Sequence, residues 1–150
     1  MNKVITIILF TIAACASAFG YTKQETIEIV ASTLYHEARG EIRYGGLEAV
    51  ASVIQNRSEQ KRWKKLGLAG VCLQKYQFSC HNKGFNKARP KNVVDKSAYN
   101  KCVKIAKAMV EGRFIATVNA NHYCTNDCKV SWKSKLKNPV VVGHHTFGNL

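Results

Sequence analysis

Apolar positions between residues 24 and 38 recur with a helical period. Ile27, Val30, Ala31 and Leu34 follow the i, i+3, i+4, i+7 spacing. Thr22 stands where an N-cap belongs, Glu25 follows three residues later as in a capping box, and Gly40 offers a stop. A second helix is predicted from about Gly46 to Gln60. Leu47, Val50, Ala51 and Ile54 form its stripe, and Arg57, Lys61 and Arg62 gather at its far end, where cations are favoured. "RWKKLGLAGVC" predicts a short helical turn. Residues 73–94 carry glycine, asparagine and proline without a period and read as a loop, of a length that is usually functional. The clearest helix follows. Asp95 is its expected cap, Tyr99, Cys102, Val103, Ala106, Met109 and Val110 its stripe, and Gly112 its end, with Lys96, Lys101, Lys104 and Lys107 facing outward. "FIATVNANHYC" and "NPVVVGHHTF" predict strands from their β-branched residues. The expected fold class is α+β, mainly helical with a small β portion, and 150 residues suffice for one core.

The first residues follow another pattern. Met1-Asn2-Lys3 is a short positive start, Val4 to Ala14 is apolar or small, and Ala16-Ser17-Ala18 is an A-x-A site. Residues 1–18 therefore read as a secretory signal peptide, and 19–150 as the mature domain with no stable membrane span. Two alternatives stand beside this: Ile12 to Cys15 resembles a lipobox that would anchor the chain through lipid on Cys15, or the segment stays uncleaved as a tether. Net charge is +14, and removing Lys3 with the leader leaves +13. Such a surface attracts polyanions: wall polymers, lipid head groups or extracellular nucleic acid. Outside the leader are Cys72, Cys80, Cys102, Cys124 and Cys128. Export favours disulfides, and Cys124–Cys128 and Cys72–Cys80 would each close a short loop, but spacing does not decide the pairing. His122, Cys124, Cys128 and His144 or His145 make a rival zinc set, disfavoured by export.

Residues 30, 34 and 37 are spaced by four and three, so Glu37 continues the stripe of Ile27, Val30 and Leu34. A carboxylate there should have a raised pKa, as a general acid requires. Glycosidic cleavage needs such an acid to protonate the leaving oxygen. The spacing fits equally a Glu37 at a frayed helix end, meeting water or Arg39. Of nine acidic residues, Glu25 and Glu28 fall on a polar helix face, Glu59 and Glu111 at helix ends, and Asp95 at a cap. Glu37 and Glu41 stand out from the rest.

"LYHEARGEIRYGGLEAVASVIQNR", residues 34–57, resembles the signature of the SleB-type cell-wall hydrolases, the family of the spore cortex-lytic enzymes. "VCLQKYQFSC" (71–80), "NANHYC" (119–124), "VSW" (130–132) and "GHHTF" (143–147) resemble further family segments in the same order. The resemblance spans about residues 30–147. It implies a lysozyme-like single domain that cleaves peptidoglycan glycan strands, by lytic transglycosylase or muramidase-type chemistry, with Glu37 as catalytic acid. One glutamate can serve the anhydro-forming reaction, whereas a water-using hydrolase normally wants two. The chain departs from the pattern at Ile42, where the family often has proline. It departs again at Cys124, in place of a histidine, and at Gly148, in place of an aromatic.

Within this reading Glu41, Gln77 and Ser79 are candidate supports. Phe78, His122, Tyr123, Trp132 and His145 are candidate substrate-binding residues. Loop capping would explain Gln77 and Ser79 equally, and core packing would explain Phe78 and Trp132. Asn56 and Arg57 read as structural. No cofactor, metal or nucleic-acid partner is expected, and the domain reads as a monomer, secreted, periplasmic or at the cell wall. The alternatives are a non-catalytic basic wall-binding module and a secreted nucleic-acid binder, for which no nuclease motif speaks.

Overall fold

The computed structural model describes residues 20–82 and 93–150. The leader and residues 83–92 of the glycine- and proline-bearing loop lie outside the described residues. Among the described residues four α-helices come first: α1 (Lys23–Ala38), α2 (Gly46–Glu59), α3 (Gly67–Leu73) and α4 (Val93–Val110). Three strands follow: β1 (His122–Thr125), β2 (Lys137–Val142) and β3 (His145–Asn149), in the antiparallel order β1-β3-β2. The fold is α+β and mainly helical, as expected.

The capping box of α1 is formed. Thr22 Oγ1 accepts the Glu25 backbone N–H, and the Glu25 carboxylate accepts the Thr22 N–H at 2.7 Å. Val30, Ala31 and Leu34 are buried against α4, α3 and α2. Helix α2 is buried over most of its length. Leu47, Val50, Ala51 and Ile54 are buried as predicted, and Ala49, Ser52 and Val53 are buried too, so small residues let neighbours close on it from several sides. In α4, Ala98, Cys102, Ala106 and Met109 face the core and Lys96, Lys104 and Lys107 face out.

Several expectations are corrected. Asp95 lies in the first turn of α4 and is not its cap, because the helix begins at Val93. Gly40 does not stop α1. A 3-10 turn, Arg39–Tyr44, takes over after Ala38, and the left-handed residue that turns the chain is Gly45 (φ 76°). Of "FIATVNANHYC" only the end is strand, and "NPVVVGHHTF" is a hairpin turning at Gly143 and His144. Cys124 and Cys128 are joined as a disulfide. Cys72, Cys80 and Cys102 are buried thiols, so the Cys72–Cys80 link is not formed. Burial pushes the Cys72 and Cys102 thiols up to about 12, which leaves them unreactive.

The sheet is seated on the helices at the 3-10 turn. Glu41 is 9% exposed and accepts the His144 backbone N–H at 3.0 Å and His144 Nδ1 at 2.9 Å. Two glycines make room for it. A Cβ on Gly46 would stand 2.2 Å from Glu41 Cβ, and one on Gly143 would stand 2.1 Å from Glu41 Oε2. Gly46→Ala should therefore lower stability by about 1–3 kcal/mol, the usual cost of overpacking. Thermal denaturation measures this, and an unchanged midpoint would show that Glu41 can move aside freely.

Candidate active site

A cleft of about 440 Å³ opens where the ends of α1 and α2 meet the sheet. Helix α1 contributes Glu37 from its last turn, and α2 contributes Arg57 from its own. Tyr76 and Gln77 come from the segment after α3, the stretch His122 to Thr125 from β1, Trp132 from the next loop and His145 from β3.

Glu37 is half-buried. Burial pushes its pKa above the ordinary carboxylate value. The Tyr123 hydroxyl donates to its Oε2 at 2.8 Å, which favours the ionised form and partly offsets burial. Tyr123 in turn is held by the sheet. It pairs in register with Phe147, stacks on that ring at 5.4 Å, and meets the His145 ring at 5.6 Å. Burial and the Glu37 charge push its hydroxyl pKa well up, so it remains a donor. His122 Nδ1 lies 2.7 Å from Asn121 Oδ1, and its ring meets Trp132 edge-on at 5.6 Å. Burial, then the charges of Arg57 and Arg62, hold its pKa below the usual imidazole value. Burial does the same for His145, whose Nδ1 has no hydrogen-bond partner among the described residues.

Of the sequence candidates, the cleft therefore brings together Glu37, Gln77, His122, Tyr123, Trp132 and His145. The other three fall outside it. Phe78 is 1% exposed and belongs to the core, one residue beyond the cleft wall. Ser79 is exposed at the start of a 3-10 turn and does not line the cleft. Glu41 faces His144, as described above. Gln77 bonds not to Glu37 but to Arg57, accepting Nη1 at 3.0 Å. The zinc set is not formed, since Cys124 and Cys128 hold each other and His144 is bound to Glu41.

Sequence reasoning missed Arg57, yet its signal was present. Residues 50, 54 and 57 repeat the spacing of 30, 34 and 37, so Arg57 continues the stripe of α2 as Glu37 continues that of α1. It is 5% exposed. Tyr76 was missed as well. It stands at the cleft in left-handed backbone (φ 64°), a conformation that a bulky residue rarely adopts and that sequence does not reveal.

The sequence matches the cell wall hydrolase family over residues 41–148. The chain belongs to that family. The match begins four residues after Glu37, so it covers the sheet, α2 and Arg57 but not the last turn of α1. Among solved structures, the catalytic domain of the germination-specific lytic transglycosylase SleB from Bacillus anthracis is similar. It has a TM-score of 0.59 and 25% identity, covering 87% of this chain and 98% of that one. No curated protein sequence matches. In this member of the family, no helix among the described residues is long and apolar enough to cross a membrane.

The raised pKa of Glu37 carries a stability consequence. The native state holds that proton more tightly than the unfolded chain. The contribution is therefore fully present below the unfolded value, about 4.3, and is lost as pH rises through the higher native value. Glu37→Gln should melt above wild type at pH 7, and the gap should close near pH 4. A variant less stable than wild type at pH 7 would contradict the buried-acid description.

Proposed function

We propose that this cell wall hydrolase is an exported enzyme that cleaves peptidoglycan glycan strands, with Glu37 as general acid and then general base. The observation that carries the proposal is that Glu37 is the one carboxylate in the cleft. All nine acidic side chains are among the described residues, and Glu41, the nearest in sequence, is committed to His144. A water-using glycosidase wants a second carboxylate across the scissile bond. A lone one favours attack from within the sugar, and the similar SleB domain is named a lytic transglycosylase.

The steps follow from that arrangement. Protonated Glu37 gives its proton to the glycosidic oxygen as the C1–O bond breaks and positive charge develops on the ring. The resulting carboxylate stabilises that charge. It then takes the proton of the same sugar's 6-hydroxyl as that oxygen bonds to C1. The product is a 1,6-anhydro end, and Glu37 is protonated again. Tyr123 holds the carboxyl in one rotamer throughout and moderates its pKa. The net positive surface favours an anionic wall, and residues 1–18 supply the export signal.

Mass spectrometry of purified murein digested by the mature protein tests this. Anhydro-muropeptides are expected, reducing ends would replace the anhydro step by hydrolysis, and no fragments would leave a binding module. Glu37→Gln should lower the rate by about 10²–10⁴-fold, the usual share of a general acid. Tyr123→Phe should keep cleavage and move the alkaline limb of the pH–rate profile upward, since a bond that favours the ionised carboxylate is gone. An unmoved limb would remove Tyr123 from the account.

A further inference from the structure

Arg57 is a buried cation without a carboxylate. Its Nε–H is donated to the Asn121 carbonyl at 2.6 Å and its Nη1 to Gln77 Oε1 at 3.0 Å. The guanidinium lies 5.7 Å from the Trp63 ring centre and 5.8 Å from that of Phe78. None of these partners carries a charge. Among the described residues, Glu48, Glu111 and Glu41 pair with Lys101, Arg113 and His144, and none of the ion pairs involves Arg57. Every acidic side chain is among the described residues, and none stands within ion-pair distance of Arg57; Glu37, in the same cleft, is bound instead by the Tyr123 hydroxyl.

Taking a guanidinium out of water without a counter-charge is costly. Neutral donors could have met a backbone carbonyl and a glutamine. Beyond the contacts with the Trp63 and Phe78 rings, which a neutral donor would make less well, the charge has no structural partner, and it stands in the cleft wall. Among the described residues Arg57 is the one lysine or arginine lining the cleft, in a chain that holds 23 of them. Nε and Nη1 are fixed by protein acceptors, while Nη2 has none among the described residues. A guanidinium pinned in this way is suited to a planar anion, which it can bind through charge-assisted hydrogen bonds.

We propose that Arg57 is a carboxylate-binding subsite that reads an anionic substituent on the glycan bound beside Glu37, and so determines which strands are cut. The inference rests on the glycan-cleaving function proposed above. Two sources offer that chemistry in peptidoglycan: carboxylates of the peptide stem, and the lactyl carboxylate left free when a stem is removed. A strand with neither lacks the group that Arg57 would bind.

The test measures kcat/KM on two glycans, one bearing stems and one stripped of them, each native and with its carboxylates amidated. Wild type should cleave the native form of at least one glycan about 10–100-fold faster than its amidated form, the range for hydrogen bonds to a charged group. The glycan that shows the preference identifies the source. In Arg57→Gln the preference should collapse to near unity, and in Arg57→Lys it should survive in part. Should Arg57→Gln fail to fold, the wild-type comparison decides alone. Equal cleavage of native and amidated forms by wild type, with Glu37→Gln still inactive, would overturn the subsite and leave the role of Glu37 standing. A folded Arg57→Gln that keeps the full preference would overturn it too. Wild type inactive on all four substrates would remove both.

Discussion

The cleft exists only while the small sheet stays seated on the ends of α1 and α2, and a buried carboxylate governs that seating. Glu41 is ionised in a place that water hardly reaches. Burial alone would raise its pKa, but the backbone N–H and the ring of His144 outweigh burial and hold it below the usual carboxylate value. The contact reaches from the turn after α1 to the turn between β2 and β3, and Gly46 and Gly143 leave it the space. Its stabilising contribution is present above the unfolded carboxyl pKa and is lost as pH falls through the lowered native value. Four residues away, Glu37 is shifted in the opposite direction, by burial that its one hydrogen bond, from Tyr123, only partly offsets. Two glutamates in one short motif are thus assigned different tasks by their surroundings.

Once the sheet is seated, each of three elements brings one group to the cleft. Helix α1 brings the acid, β1 brings the phenol that holds it, and α2 brings the cation. Asn56 and Arg57 bind the backbone carbonyls at 118, 120 and 121 just before β1, so the end of α2 and the start of the sheet are tied together. The Tyr123–Phe147 stack then fixes the phenol from behind. Loss of any one tie would be felt at Glu37.

Much of the helical part was legible because it rests on short-range rules. The capping box at Thr22 and Glu25, the stripes of α1, α2 and α4 and the stop at Gly112 all depend on neighbours within a turn or two. The misreadings arose where a distant contact intervened. Gly40 looked like a terminator, yet the 3-10 turn that places Glu41 under His144 runs through it. "NPVVVGHHTF" looked like one strand because the pattern does not show a chain folding back at Gly143. Phe78 looked like a sugar platform beside Gln77, but one residue along an irregular segment is enough to move from cleft wall to core.

Periodicity by itself determined that two charged residues, Glu37 and Arg57, stand at the ends of apolar helical stripes, since helical geometry alone dictates which positions share a face. It could not say that the two stripes end at the same cleft, nor that Tyr123, 86 residues beyond Glu37, would supply the acid's hydrogen bond. Those are long-range facts. They depend on how the sheet docks, and the docking is set by a buried ion, two missing Cβ atoms and an aromatic stack, none of which has a local pattern in the chain.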